Sequence, residues 1–146
     1  MKQVAMVGCE GPGRTVLLTA LLRDCVERHG WGRRLRVSAF GILGGCGAPS
    51  PAEVEAARRA GLELQNLHCG PVSEMIDACQ LIVAVSDFAA DVVLETSGAD
   101  GKPVVCLEDL VDPQTAGLLQ KPCEPAELIE ALAPEMPELL RKLIAA

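Results

Sequence analysis

Residues 8–15 read Gly8-Cys9-Glu10-Gly11-Pro12-Gly13-Arg14-Thr15, between a short apolar run and a long amphipathic one. A glycine-rich turn at a helix N-terminus presents free backbone N–H groups, here those of Gly8, Glu10, Gly11 and Gly13, beside the positive end of the helix dipole. Arg14 adds a planar fork suited to phosphate oxygens. Thr15 falls near the N-cap, where its hydroxyl can accept from the backbone or reach a bound group. The chemistry these residues offer is oxyanion binding, with phosphate the first candidate. The same residues also suit a tight strand-to-helix turn with a solvated arginine, and both alternatives stand on residue types alone.

The elements around the turn follow from periodicity. Gln3–Val7 is a short apolar strand leading into it. Thr15–His29 is a helix, with Leu17, Leu18, Leu21, Leu22 and Val26 at helical spacing on one face. Gly30 follows it, where a left-handed C-cap residue belongs. Leu35–Phe40 is a second strand, Gly41–Pro51 a Gly/Pro-rich loop, and Ala52–Ala60 a helix stopped by Gly61. Pro71–Cys79 reads as a short helix with Ser73 near its start. Leu81–Val85 is the continuous apolar run of a strand buried on both faces. Phe88–Thr96 is a helix, Ser97–Gly101 a turn and Val104–Leu107 a strand. Glu108–Lys121 reads as a loop carrying Asp112-Pro113. Glu124–Ile144 is helical, interrupted near Pro134 and Pro137. Four strands interleaved with helices predict an α/β fold: an open parallel sheet with helices on both sides. Ligands of such folds bind beyond the C-terminal ends of the strands, which is where residues 8–15 fall.

Composition limits the function classes. The 146 residues fit a single domain, 1–146, and 49% apolar with 23% charged residues describes a globular chain. With 13 basic against 20 acidic residues the formal net charge is −7, which argues against nucleic acid as a partner. Two Phe, one Trp and no Tyr leave few platforms for stacking. The seven cysteines, at 9, 25, 46, 69, 79, 106 and 123, are odd in number and contain no C-x2-C pair, so no metal or cofactor is expected. The opening MKQVAMVG runs directly into a strand, and no apolar run approaches the roughly 18 residues of a membrane span. The expectation is a cytoplasmic, reduced protein with no membrane partner. His29 reads as structural at a helix end, and so do the adjacent His68 and Cys69. Arg33, Arg34 and Arg36 read as a solvated basic turn, and Glu124–Glu138 as a solvated acidic face. Cys46 falls in a glycine-rich loop where it could be exposed.

Two families resemble the turn. Gly8–Thr15 reads G-x4-G-R-T, one residue from the P-loop signature of nucleotide binders, with arginine in place of the lysine that reaches the terminal phosphates. Asp87, after the Leu81–Val85 strand, would be the magnesium-holding acid of that alternative. The second resemblance covers nearly the whole chain. It begins with strand, turn, Arg14-Thr15 and the helix end Ala20-Leu21-Leu22-Arg23. It continues through Val37-Ser38-Ala39, Gly47-Ala48-Pro49-Ser50-Pro51, Ala60-Gly61-Leu62 and Ala78-Cys79-Gln80-Leu81-Ile82-Val83, and ends with Val111-Asp112-Pro113. In that order these pieces resemble the low-molecular-weight phosphotyrosine protein phosphatases, which include arginine phosphatases and relate to arsenate reductases.

The resemblance implies a three-layer α/β sandwich on a four-stranded parallel sheet of order 2-1-3-4. It implies C-x5-R-[ST] chemistry on a phosphomonoester, phosphotyrosine or related. A Cys thiolate attacks phosphorus, and an Arg clamps the equatorial oxygens. A Ser/Thr hydroxyl assists the sulfur, and an Asp protonates the leaving group before activating water. Carried over, the catalytic residues would be Cys9, Arg14, Thr15 and Asp112, with no cofactor. The partner would be phosphate, or a phosphorylated small molecule or protein.

The sequence departs from the pattern at the nucleophile. Six positions before Arg14 stands Gly8; Cys9 gives C-x4-R. Cys9 therefore fits a shifted nucleophile, a redox-sensitive thiol or an inert residue of a degenerate loop. Gly11 stands where the family has its loop Asn, and Leu67 where it has a His. Val85-Ser86 replaces Met-Asp, and Gln114-Thr115 replaces the aromatic pair lining the cleft. The alternatives carried forward are phosphomonoester hydrolysis, non-catalytic phosphate or phosphoprotein binding with a regulatory role, and nucleotide binding.

Overall fold

The computed structural model describes residues 1–8, 14–41, 49–64, 67, 69–71, 78–95 and 101–146. Their elements in chain order are β1 (Lys2–Gly8), α1 (Arg14–Arg28), β2 (Leu35–Gly41), α2 (Pro51–Arg59), β3 (Cys69–Pro71), β4 (Leu81–Ala84), α3 (Asp87–Leu94) and β5 (Val104–Cys106). A 3-10 turn (Leu107–Asp109) leads to α4 (Pro113–Leu119) and α5 (Pro125–Leu132). A second 3-10 turn (Ala133–Glu135) leads to α6 (Met136–Ala145).

The sheet runs β3-β2-β1-β4-β5 and is parallel at each pairing. The four expected strands lie in the expected order, second-first-third-fourth. Cys69–Pro71 adds a three-residue edge strand where a helix start was expected; residues 72–77 of that expected helix lie outside the description. Pro71 suits an edge, since it has no N–H to give a further neighbour.

Period-two alternation in β1 sends Val4 and Met6 to one face and Ala5 and Val7 to the other, and all four are buried. The first face packs on α1, α2, α5 and α6; the second packs on α3 through Val93, Ala89 and Ala90. That two-sided cover is why Val4–Val7 of β1 and the whole of β4 are continuously apolar. α1 is buried from Thr15 through Leu22 and again at Cys25 and Val26. It ends at Gly30, whose φ of +69° is the left-handed conformation expected of its C-cap.

The span Glu108–Lys121, expected as a loop, instead holds most of the 3-10 turn and all of α4. Two local signals make α4: Asp112 as N-cap and Pro113 at the first helical position. Gly117 and a run of only seven residues hide it from periodicity. The interruption expected near Pro134 and Pro137 is the 3-10 turn between α5 and α6. Among the described residues, no helix is long and apolar enough to cross a membrane.

Candidate functional site

The parallel register directs the C-terminal ends of β1, β4 and β5 toward one edge of the sheet. Residues 9–13, the start of α3, the Leu107–Asp109 turn and α4 all follow from those ends. Cys9, Glu10, Gly11 and Gly13 lie outside the described residues, as do Cys46 and His68. The flanks of the turn, Gly8 and Arg14-Thr15, are described.

Gly8 closes β1 opposite Gly41 of β2. A Cβ on Gly8 would stand 2.1 Å from Thr15 Oγ1 and 3.5 Å from Val85 Cγ2. The site of close approach thus lies between the strand end and the hydroxyl of the first helical turn. Thr15 is 1% exposed, and its carbonyl accepts from Thr19 Oγ1 at 2.8 Å. Only glycine leaves room at position 8, because Thr15 is β-branched and fixed by burial.

Arg14 opens α1, and its guanidinium lies on the far end of α4. Nη2 donates to the carbonyls of Leu118 (2.5 Å) and Lys121 (3.1 Å) and to Cys123 Sγ (3.4 Å). Nη1 donates to the Leu119 carbonyl at 3.4 Å. The last carbonyls of a helix lack intrahelical donors and carry the negative end of its dipole, and α4 has no basic residue in its own last turn. Arg14 supplies that cation from about a hundred residues away in sequence. A cavity of about 290 Å³ lies beside it, lined by Arg14, Leu17, Glu53, Cys123, Pro125 and Leu128 among others.

Asp112 caps the opposite end of α4. One carboxylate oxygen accepts from the Gln114 N–H at 2.9 Å, and the Asp112 N–H donates to Glu135 Oε1 at 2.6 Å. Glu135 therefore departs from the solvated acidic face expected of Glu124–Glu138: it pins the Asp-Pro corner, and its second oxygen is buried without a partner. Seven residues of helix separate the two ends by about 10 Å.

Acidic groups occupy the same sheet edge. Cys106 Sγ donates to Asp87 Oδ1 at 3.6 Å, and Gln120 Nε2 donates to Glu108 Oε2 at 3.2 Å. Burial, then the hydrogen bond to Asp87, pushes the Cys106 thiol up to about 11. Burial also raises the Glu108 carboxyl above its ordinary value. Among the described residues no group of three metal-ligating side chains forms.

This architecture matches solved structures along its whole length. A protein tyrosine phosphatase from Entamoeba histolytica in a product-state mimic superposes with a TM-score of 0.75 at 13% identity, covering 100% of this chain and 97% of that one. YfkJ from Bacillus subtilis gives 0.74 at 20% identity, covering 98% and 94%. A low-molecular-weight protein tyrosine phosphatase from Bacillus subtilis gives 0.68 at 20% identity, covering 98% and 95%. The fold is that of the low-molecular-weight phosphatases. No family model and no curated protein matches the chain.

Within the low-molecular-weight phosphatase fold, the structure places Gly8 and Thr15 together at the strand-to-helix junction. It draws the Arg14 guanidinium to the C-terminal end of α4 and sets Asp112 at the other. Leu118, Leu119, Lys121, Cys123 and Glu135 are the partners that sequence inspection missed. No residue-type signal marks the first three, because they act through backbone carbonyls. Asp112-Pro113 did carry a signal for α4, as N-cap and first helical residue.

Proposed function

We propose that this chain binds phosphate, or a phosphorylated group on a small molecule or protein, at the turn joining β1 to α1, without efficient hydrolysis. The carrying observation is the division of labour on α4. The guanidinium that would clamp a transferring phosphoryl group caps one end, and the carboxylate that would act as acid caps the other. Phosphoryl transfer depends on positioned charge, so charges committed to separate structural tasks catalyse poorly.

Three features support binding. The turn leads into a fifteen-residue helix, whose N-terminus favours an anion. Gly8 keeps the strand end bare beside Thr15. The fold is shared with proteins described as tyrosine phosphatases. In this proposal the N–H groups of Gly8, Glu10, Gly11 and Gly13 form the seat, with Arg14 joining once ligand arrives, and residues 1–146 act as one domain. Gln114 and Thr115, where an aromatic pair would line the cleft, favour a small or aliphatic phosphate over phosphotyrosine.

Thermal unfolding in inorganic phosphate against chloride at matched ionic strength tests this, beside para-nitrophenyl phosphate turnover. Phosphate should raise Tm while turnover stays at the level of Cys9→Ser. Absence of stabilisation overturns the proposal. A second function, hydrolysis through a cysteinyl-phosphate with Cys9, Arg14, Thr15 and Asp112, is favoured by one observation: Asp112 is exposed, and among the described residues its second oxygen has no partner. A para-nitrophenol burst lost in Cys9→Ser would establish hydrolysis instead.

A further inference from the structure

A separate group of cations lies toward the other end of α1. Arg23 is nine residues along that helix from Arg14, about 14 Å down its axis. Its Nε donates to the Val37 carbonyl of β2 at 2.7 Å. β3 pairs only with Ala39–Gly41, so among the described residues Leu35–Val37 stand at the open edge of the sheet. Against that edge lies a cavity of about 240 Å³, lined by Arg23, Glu27, Gly32 and Arg36 among apolar neighbours. Arg28, Arg58, Arg59 and Arg141 each have a carboxylate within salt-bridge distance; among the described residues Arg23, Arg36 and Glu27 form no ion pair. The Val37 bond occupies Nε of Arg23, and its Nη1–Nη2 edge has no acceptor among the described residues. Burial, then the like charge of Arg36, lowers the Arg23 guanidinium from its ordinary value, and Glu27 opposes them only in part. A guanidinium stays charged in a protein, so this crowding is a standing cost that a bound anion relieves.

We propose that Arg23 and Arg36 form an anion site at the open edge of β2, distinct from the β1–α1 turn, that takes a small free dianion of the phosphate or sulfate type. The Nη1–Nη2 edge of Arg23 offers two parallel donors to its oxygens, and Arg36 supplies the second charge. Size and charge select the ligand. The cavity is smaller than the roughly 300 Å³ at which pockets for drug-sized molecules begin. Arg23 also lines a neighbouring cavity, of about 310 Å³, with Asp24, Glu27 and Glu63. Those carboxylates repel an acidic peptide or a nucleic acid, which would extend across them, whereas a small dianion meets the two arginines alone. The site goes beyond the phosphate-binding function above and does not depend on it.

Proton–nitrogen correlation spectra of the full chain, titrated with inorganic phosphate at constant ionic strength, test the proposal. The Gly32 and Val37 amides and the Arg23 Nε–H should shift together and saturate, while Gly8 and Thr15 report separately on the β1–α1 turn. Arg36→Gln, at an exposed position, should weaken the phosphate dependence of those signals at least about fivefold. Arg33→Gln removes the same charge from the adjoining turn, outside the cavity lining, and should leave it within about twofold. Gly32→Glu sets a competing carboxylate on the cavity wall, where a Cβ meets no atom within 4 Å, and should also weaken the response. Absence of saturating shifts at Gly32, Val37 and Arg23 overturns the site, and shifts confined to Gly8 and Thr15 do so while leaving the phosphate-binding function standing. Equal weakening by Arg36→Gln and Arg33→Gln, an effect of net charge alone, overturns it too, as does a response that Arg36→Gln leaves unchanged.

Discussion

Arg14 and Asp112 serve the two ends of a single seven-residue helix, Pro113–Leu119: the guanidinium takes the C-terminal carbonyls, the carboxylate an N-terminal N–H. Each charge matches the dipole end it faces. The pair that phosphatase chemistry would bring to one phosphorus atom here stabilises a short helix that is too brief to persist alone.

The cap on α4 should be measurable without ligand. Arg14→Met keeps a long side chain and removes the donors, leaving the Leu118, Leu119 and Lys121 carbonyls without their cation. Denaturant unfolding in phosphate-free buffer should show a loss of about 1–2 kcal/mol. An unchanged midpoint would remove Arg14 from the stability of α4.

At the other end, Asp112→Ala should cost about 1 kcal/mol, whereas Asp112→Asn, which keeps an acceptor for the Gln114 N–H, should cost little. A carboxylate needed for proton transfer would behave differently in a turnover assay, where asparagine fails as alanine does. Thermal unfolding of the two variants side by side separates these roles.

Gly8→Ala places a methyl group 2.1 Å from Thr15 Oγ1. The expected destabilisation is about 1–3 kcal/mol, and Thr15→Ala in the same chain should return part of it, because the clash is with that hydroxyl. Additive losses in the double variant would show that the strand end is constrained by something else.

Cys106 should alkylate slowly at pH 8, at least about tenfold below an ordinary thiol, because burial and the Asp87 hydrogen bond hold its proton. Its rate should keep climbing to about pH 11. Since the folded thiol binds its proton more tightly than the unfolded one, its contribution to stability is full below about pH 9 and drains away toward about pH 11. Asp87→Asn should shift the alkylation profile to lower pH; an unmoved profile would remove Asp87 from the causes and leave burial with the charges of Asp109 and Glu108.

Much of the scaffold was legible in residue order. β1, β2, β4 and β5 announce themselves as apolar runs, α1 by its leucine spacing, and Gly30 by its place after that helix. β3 was not, since three residues carry no period and owe their pairing to β2 alongside. α4 hid behind Gly117 and its brevity, although Asp112-Pro113 marks its start.

Sequence by itself determined what is local: which of the longer segments are strands or helices, that glycine stands at position 8, and that the first helix begins at the Arg14-Thr15 junction, to within the one residue by which Arg14 extends it. Local sterics and periodicity act over a few residues, so they can be read in line. Tertiary structure alone decided where the Arg14 fork goes. Its acceptors are main-chain oxygens at 118, 119 and 121, chemically the same in every residue, and they become partners only because the sheet order sets the end of β5 and the α4 it leads into beside the start of α1.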